Sequence, residues 1–384
     1  MLAPYRGFGE DEFAQRAQAA QKRMAQAGLG ALLLTTEPEI RYYTGFLTRF
    51  WESPTRPWFV VLPASGNPIA VIPSIGAPLM GRTWITDIRA WAAPDYTDDG
   101  IGLLAETLNE IVPGDGAIGV ADEMESHLRM PLADFTRLRE LIGGRTIQSD
   151  TQITRDLRLI KSAAEIEKIR YAVDIADRSF ARVGEIAAPG VPVSGVFRAF
   201  QTLCLEEGAD WVPYLAGGAG PMGYADVISP ATDNPLAQGD VLMLDTGLVW
   251  DGYFCDFDRN FAISEPNANT AAAHRRLIEA TQAAFDAAKP GATMSDLFAA
   301  MDQIVKVGPN AGRLGHGLGM QLTEWPSIIP DDHTVLKPGM VLTIEPFVDV
   351  ADGNILVHEE NIVISESGAE FLSSPSKPEI EILC

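Results

Sequence analysis

The sequence predicts two domains: a mixed α/β domain over residues 1–155, and an α+β domain over 156–384 built from two similar helix–helix–hairpin halves. Three observations carry this. The chain has 384 residues, too many for one ordinary core. Helix-like and strand-like segments alternate through its N-terminal region. Toward the C-terminus a pair of phrases recurs about a hundred residues apart: APGVPVSGVFRAF (188–200) with KPGATMSDLFAAM (289–301), and LAQGDVLMLD (236–245) with LKPGMVLTIE (336–345).

Residues 11–27 read as an amphipathic helix and ALLLTT (31–36) as a short buried strand. WFVVLPA (58–64) and PIAVIP (68–73) bracket a Ser-Gly-Asn turn and read as a hairpin. GIGLLAETLNEIV (101–113) and MPLADFTRLRELI (130–142) read as helices around the strand AIGVADE (117–123). Past residue 155, Ser162 and Glu165 have capping-box spacing, and Ile166, Ile169, Val173, Ala176 and Phe180 give the helix that follows one apolar face. The matched phrases make each later half helix, Pro-Gly turn, helix and β hairpin. Two copies of so long a unit pack face to face about a pseudo-twofold axis rather than forming a solenoid.

Composition limits the function. Hydrophobic residues make up 46% and charged residues 21%, as in ordinary globular chains. The formal charge of −23 excludes nucleic acid and anionic membranes as natural partners, because both repel such a surface. The first twenty residues hold no apolar stretch of signal-peptide length, and no run is long enough to span a bilayer. Cys204, Cys255 and Cys384 show no paired spacing, which fits a reducing, cytoplasmic setting.

The repeated strands both end on an acid, Asp245 and Glu345, six residues past a glycine. Asp251-Gly252 is a type I′ hairpin signal, and pairing Trp250 with Tyr253 sets Asp245 opposite Asp258. Asp256, two residues from Asp258, shares that face. Three aspartates on one face repel each other unless a cation lies between them. In the second half MVLTIEP and NILVHEENIVI supply Glu345 and either Glu359 or Glu360; alternation from Ile355 and Val357 favours Glu359, and turns His358 to the opposite face. His316 sits between the two acid-bearing hairpins, in GHGLGMQLTEWP, where glycines let the backbone crowd a site. His274 and His127 read as helix-surface residues. Four carboxylates and an imidazole suit a pair of divalent ions such as Mn²⁺, Co²⁺, Fe²⁺ or Zn²⁺, with Mn²⁺ the first expectation. Two ions about 3.5–4 Å apart ionise a bridging water and polarise a carbonyl, which is hydrolytic chemistry.

With DTG, GYFCDFDR, GHGLG, TIEP and the HEEN run in order, the C-terminal region resembles the pita-bread metallopeptidases: methionine aminopeptidase, aminopeptidase P, Xaa-Pro dipeptidase and the related creatinase. The N-terminal α/β domain resembles that of creatinase and the proline-specific members. The resemblance implies Asp245, Asp256, His316, Glu345 and Glu359 as metal ligands, Asp256 and Glu359 as bridges, and Glu345 as the proton shuttle. It also implies a homodimer in which the N-terminal domain can lend a loop to a neighbour's site, and there Trp51 in RFWESPTRPWF (49–59) is a candidate pocket wall.

The chain departs from the proline-specific pattern around that centre. Thr323 in TEWP replaces a histidine, and GYADVISPATDNP lacks another, with Asp226 and Ile228 nearest its place. Val357 replaces an arginine, and Asp258 a threonine. Losing an oxyanion-type donor costs about 10²–10³ in rate, so Asp226, Thr323, Arg259 and Tyr253 are candidate substrate-binding or compensating groups, with Asp258 beside them. The leading expectation is hydrolysis of a short peptide or peptide-like amide of the Xaa-Pro type. A small-molecule C–N hydrolase or lyase on the same fold is the second reading, and a non-catalytic binding module the third.

Overall fold

The structure is a computed structural model that describes residues 1–52, 56–351 and 353–383. Residues 53–55 of the tryptophan-bearing loop, and Cys384, lie outside the described residues. The chain divides into two compact units, Tyr5–Arg158 and Leu159–Cys384 with Met1–Pro4.

The first unit is a six-stranded mixed sheet in the order Asp87–Trp91, Ile69–Pro73, Phe59–Pro63, Leu29–Leu34, Ala117–Val120, Thr146–Ser149. Its middle is antiparallel because Phe59–Pro63 and Ile69–Pro73 form the expected hairpin, Phe59 pairing with Val71. Both of these strands are buried along their length, and so their sequences run apolar without alternation. Ile101, Leu104 and Leu108 of the Ile101–Ile111 helix cover one face and bury fully against Ala31, Val61 and Val71. Three elements lie outside the sequence expectations: the Glu37–Thr44 helix, which opens on a Thr36/Glu39 capping box, and the edge strands Asp87–Trp91 and Thr146–Ser149.

The second unit is duplicated as expected. The helices Ala163–Phe180 and Val193–Glu207 precede one sheet, and Ala268–Ala287 and Met294–Val305 precede the other. The Ser162/Glu165 capping box opens the first of these helices. Glu381–Ile382, Phe257–Ala262, Val241–Trp250 and Trp211–Gly220 lie in that order in one sheet, with Tyr253–Phe254 pairing on Val241–Trp250. The other sheet runs Glu324–Ser327, His316–Gly317, Val341–Ile344, Glu360–Ser365, Gly368–Phe371. Asp251 (φ 48°) and Gly252 (φ 79°) take the left-handed conformations of the tight turn, and Trp250 pairs with Tyr253. That turn fixes the register in which Asp245 faces Asp258.

Two helix-surface assignments separate here. His127 is exposed but lies in irregular backbone before the Leu132–Leu141 helix rather than on a helix. His274 is 3% exposed, its Nε2 3.0 Å from the Lys377 carbonyl, because the segment around Lys377 covers that helix face.

Candidate metal centre

The two hairpins of the second unit bring their acids to one cavity of about 320 Å³, lined by Asp245, Asp256, Asp258, Glu345, Glu359 and His316. Met243, directly before Asp245 on the same strand face, lines it too, so the strand's alternation runs from core side chain to site side chain.

His316 reaches the cavity through crowded backbone. A Cβ on Gly315 (φ +135°) would lie 2.3 Å from the Thr343 carbonyl oxygen, and one on Gly317 2.7 Å from that of Trp325. The glycines thus let the loop lie flat on the strands beside it. His316 Nδ1–H donates to the Gly317 carbonyl at 2.8 Å, which leaves Nε2 as the free lone pair, 3.4 Å from Asp256 Oδ2. Burial pushes the His316 pKa down to about 4, so the ring is neutral at pH 7, the form that binds metal.

Asp256 is tied across the pseudo-twofold. Its backbone N–H donates to Asn361 Oδ1 at 3.1 Å, and Asn361 Nδ2 donates back to its carbonyl. Asp245 Oδ2 accepts the Tyr214 hydroxyl at 3.0 Å, while Asp245 Oδ1 and Glu359 Oε1 are buried with no hydrogen-bond partner. Ligand atoms of Asp256, His316 and Glu359 all lie within 4.8 Å of one another. Burial, then the neighbouring acids, raise the carboxyl groups of Asp245, Asp256 and Glu359 well above the usual range, and burial raises Glu345 to about 7. Buried carboxylates that lack donors and repel one another are complementary to a cation, so the residues fit a hard or borderline divalent ion.

The other predicted residues divide. Thr323 and Asp258 line the cavity, as do Ile228 and Val357. Tyr253 does not: its buried hydroxyl donates to Glu165 Oε1 at 3.0 Å. Arg259 is held by Glu360 Oε2 (3.0 Å) and the Glu359 carbonyl (3.2 Å), behind the cavity lining. Asp226 is exposed and caps its own loop, accepting from the Ile228 and Ser229 N–H groups at 2.8 Å. Trp51 belongs to the other unit, where the Arg129 guanidinium lies 5.2 Å from its ring. His358, expected on the face opposite Glu359, does not line the cavity; its Nδ1 lies 3.5 Å from Asp258 Oδ1 and its Nε2 3.1 Å from Glu360 Oε1. Glu360, the alternative to Glu359, is buried outside the cavity lining, where it pairs with Arg259 and His358 and supports the residues around the cavity.

Sequence reasoning missed three participants. Tyr214 and Asn361 act through partners far along the chain, which no local pattern reveals. Arg313 is the sole arginine or lysine among the described residues lining the cavity. Its position in GRLGHG, three residues before His316, was the available signal. Leu314 pins it in place, donating to the Ile328 carbonyl and accepting from the Glu345 N–H at 2.9 Å each.

Two duplicated hairpins converging on buried acids and a neutral imidazole define a metal-dependent hydrolase of the pita-bread fold. More particularly, the chain belongs to metallopeptidase family M24, which matches residues 167–366, and carries a creatinase/prolidase N-terminal domain over residues 16–160. It is 30% identical over 371 residues, 95% of each chain, to the probable dipeptidase PepE of Mycobacterium bovis. It is 32% identical to the Xaa-Pro dipeptidase of Pyrococcus furiosus over 241 residues, 60% of this chain and 67% of the other. The crystal structure of dipeptidase PepE from Mycobacterium ulcerans superposes with a TM-score of 0.84 at 29% identity, over 98% of this chain and 99% of that one. No described helix is long and apolar enough to cross a membrane.

Proposed function

We propose that the protein is a two-metal dipeptidase that cleaves short peptides of the Xaa-Pro type, with Mn²⁺ as the working ion, acting as a cytoplasmic homodimer. The observation that carries this reading is the convergence of Asp245, Asp256, His316, Glu345 and Glu359 on one cavity, in a chain whose relatives include dipeptidases. Asp245, Asp256 and Glu359 would hold one ion, and His316, Glu345, Asp256 and Glu359 the other. Bound there, two divalent ions lower the pKa of a shared water and polarise the scissile carbonyl.

The chain's own residues do the rest. Glu345, at the cavity wall beside the position of the scissile amide, would shuttle a proton from the attacking water to the departing amine, as the family resemblance implies. Arg313 stands where it can pair with the free carboxylate of a dipeptide, a charge the site otherwise lacks because Val357 replaces the family's arginine. Met243, Val227 and Leu322 give the cavity apolar walls that shed water around the amide. A volume of about 320 Å³ matches a small ligand rather than a folded chain. Trp51 would complete the pocket from a neighbouring subunit.

Turnover of an Xaa-Pro dipeptide panel by Mn²⁺-loaded protein, with Asp256→Ala as the blank, tests this. Activity lost in the variant supports the reading; a metal-replete protein that cleaves none of the panel overturns it. Thr323 and Val357 at peptidase-type positions favour a specialised small-molecule C–N hydrolase as the second reading.

A further inference from the structure

We propose that Asp258 is a sixth protein ligand of the metal centre, added to the five that the family pattern supplies. The inference rests on the metal centre of the proposed function, not on the peptide substrate.

The duplicated register points to it. In the first half Asp245 pairs directly with Asp258. In the second half Ile344 pairs with Glu360 and Phe347 with Val357, and the His358 N–H donates to the Pro346 carbonyl at 3.1 Å. The same register therefore carries through the intervening residues and sets Glu345 opposite Glu359. Asp258 stands to Asp245 as Glu359 stands to Glu345. Under the pseudo-twofold it occupies the place of a metal ligand, and Asp256 that of Val357.

The side chain's surroundings are an independent observation. Asp258 is 1% exposed and lines the same cavity as the five ligands, yet neither of its oxygens makes a hydrogen bond. A buried carboxylate whose one cationic neighbour is an imidazole beyond hydrogen-bond geometry, 3.5 Å from Oδ1, is costly, and a divalent cation on its cavity side would complete its coordination. Behind it, His358 Nδ1 lies 3.5 Å from Oδ1, and His358 Nε2 contacts Glu360 at 3.1 Å. Glu360 in turn pairs with Arg259 at 3.0 Å. This chain of contacts aims the carboxylate as outer groups aim metal ligands elsewhere. Facing strands hold directly opposed Cβ atoms about 4.5–5.5 Å apart, within reach of one ion held between two carboxylates. The extra charge also suits the site: five cavity acids face Arg313 and, with two divalent ions bound, four further positive charges.

The test uses the full chain, stripped of metal, titrated calorimetrically with Mn²⁺ and followed by Mn²⁺ electron paramagnetic resonance. The variants are Asp258→Asn, Asp258→Thr and Asp258→Glu, with Asp226→Asn as the control outside the cavity. We expect wild type to bind two ions. The Asn and Thr variants should weaken one of the two by tenfold or more and change the spectrum, and Glu should keep both. Wild-type affinity and an unchanged spectrum in the Asn and Thr variants would overturn the proposal, as would a wild type that binds no ion. Two Asp258-dependent ions in a protein that cleaves no peptide would leave this inference standing while the peptidase reading fell.

Discussion

Lys161→Met should cost about 3 kcal/mol of stability, through a pair that no ligand touches. Lys161 Nζ lies 3.1 Å from Glu324 Oε2, with the two side chains 2% and 7% exposed. Removing one partner of a buried ion pair costs about 3–5 kcal/mol, because the other charge is left in a poor solvent. Glu324 is not stranded completely: its Oε1 accepts the Met320 and Gln321 N–H groups at 2.9 and 3.2 Å. Hydrogen bonds to a charged group contribute about 1.5–3 kcal/mol each, so the loss falls at the low end of the range. For a unit of this size that is about 6–12 °C in Tm. Adding Glu324→Gln keeps an acceptor for the two N–H groups and removes the charge, so the double variant should regain about half the loss. Denaturant unfolding of the two single variants and the double measures the coupling. A loss below about 1 kcal/mol in Lys161→Met, or no recovery in the double variant, would refute the argument. The same substitution reaches the site. Glu324 holds the turn bearing Thr323 and pairs with Gly317 beside His316, so Mn²⁺ affinity should fall about tenfold.

Metal affinity should depend on pH in one direction. The centre's carboxyl groups are raised by burial and mutual repulsion, Glu345 to about 7, and each must lose its proton to bind an ion. Mn²⁺ affinity should therefore climb from pH 5.5 toward 7 with proton release, seen by calorimetry in buffers of different ionisation enthalpy; a flat profile contradicts the assignment. The linked sign for the metal-free protein is opposite: a carboxyl whose folded pKa is raised withdraws stability as pH rises from its unfolded value, near 4.5, through about 7. Metal-free Tm should fall across that window, and a rising Tm would be the contrary result. Arg313→Gln should raise KM about tenfold or more for a dipeptide with a free carboxylate, leave kcat within a few-fold, and leave the C-terminal amide unaffected. Equal effects on acid and amide would remove Arg313 from carboxylate recognition.

What the sequence could show depended on how local the cause was. The hairpin register was legible because Asp251-Gly252 dictates the turn, and a two-residue turn leaves no freedom in the pairing of Asp245 with Asp258. The duplication was legible because both halves reuse the same Pro-Gly turn and strand phrase. His274 was misjudged because AAAHRRL looks like a solvated helix face until Lys377, about a hundred residues later, folds over it. The partners of His358 and Glu360 were hidden for a similar reason. Alternation assigns faces but cannot show that Asp258 and Arg259, from the other hairpin, are waiting there. Arg313 went unread because a loop arginine announces no partner, and only the fold places it against the acids.

The most direct test of the central claim is a titration of metal-free protein with Mn²⁺, following Xaa-Pro dipeptide hydrolysis against ions bound per chain. Turnover should rise with occupancy and reach its plateau at two ions. Turnover that ignores added metal, or a plateau at a single ion, would contradict it.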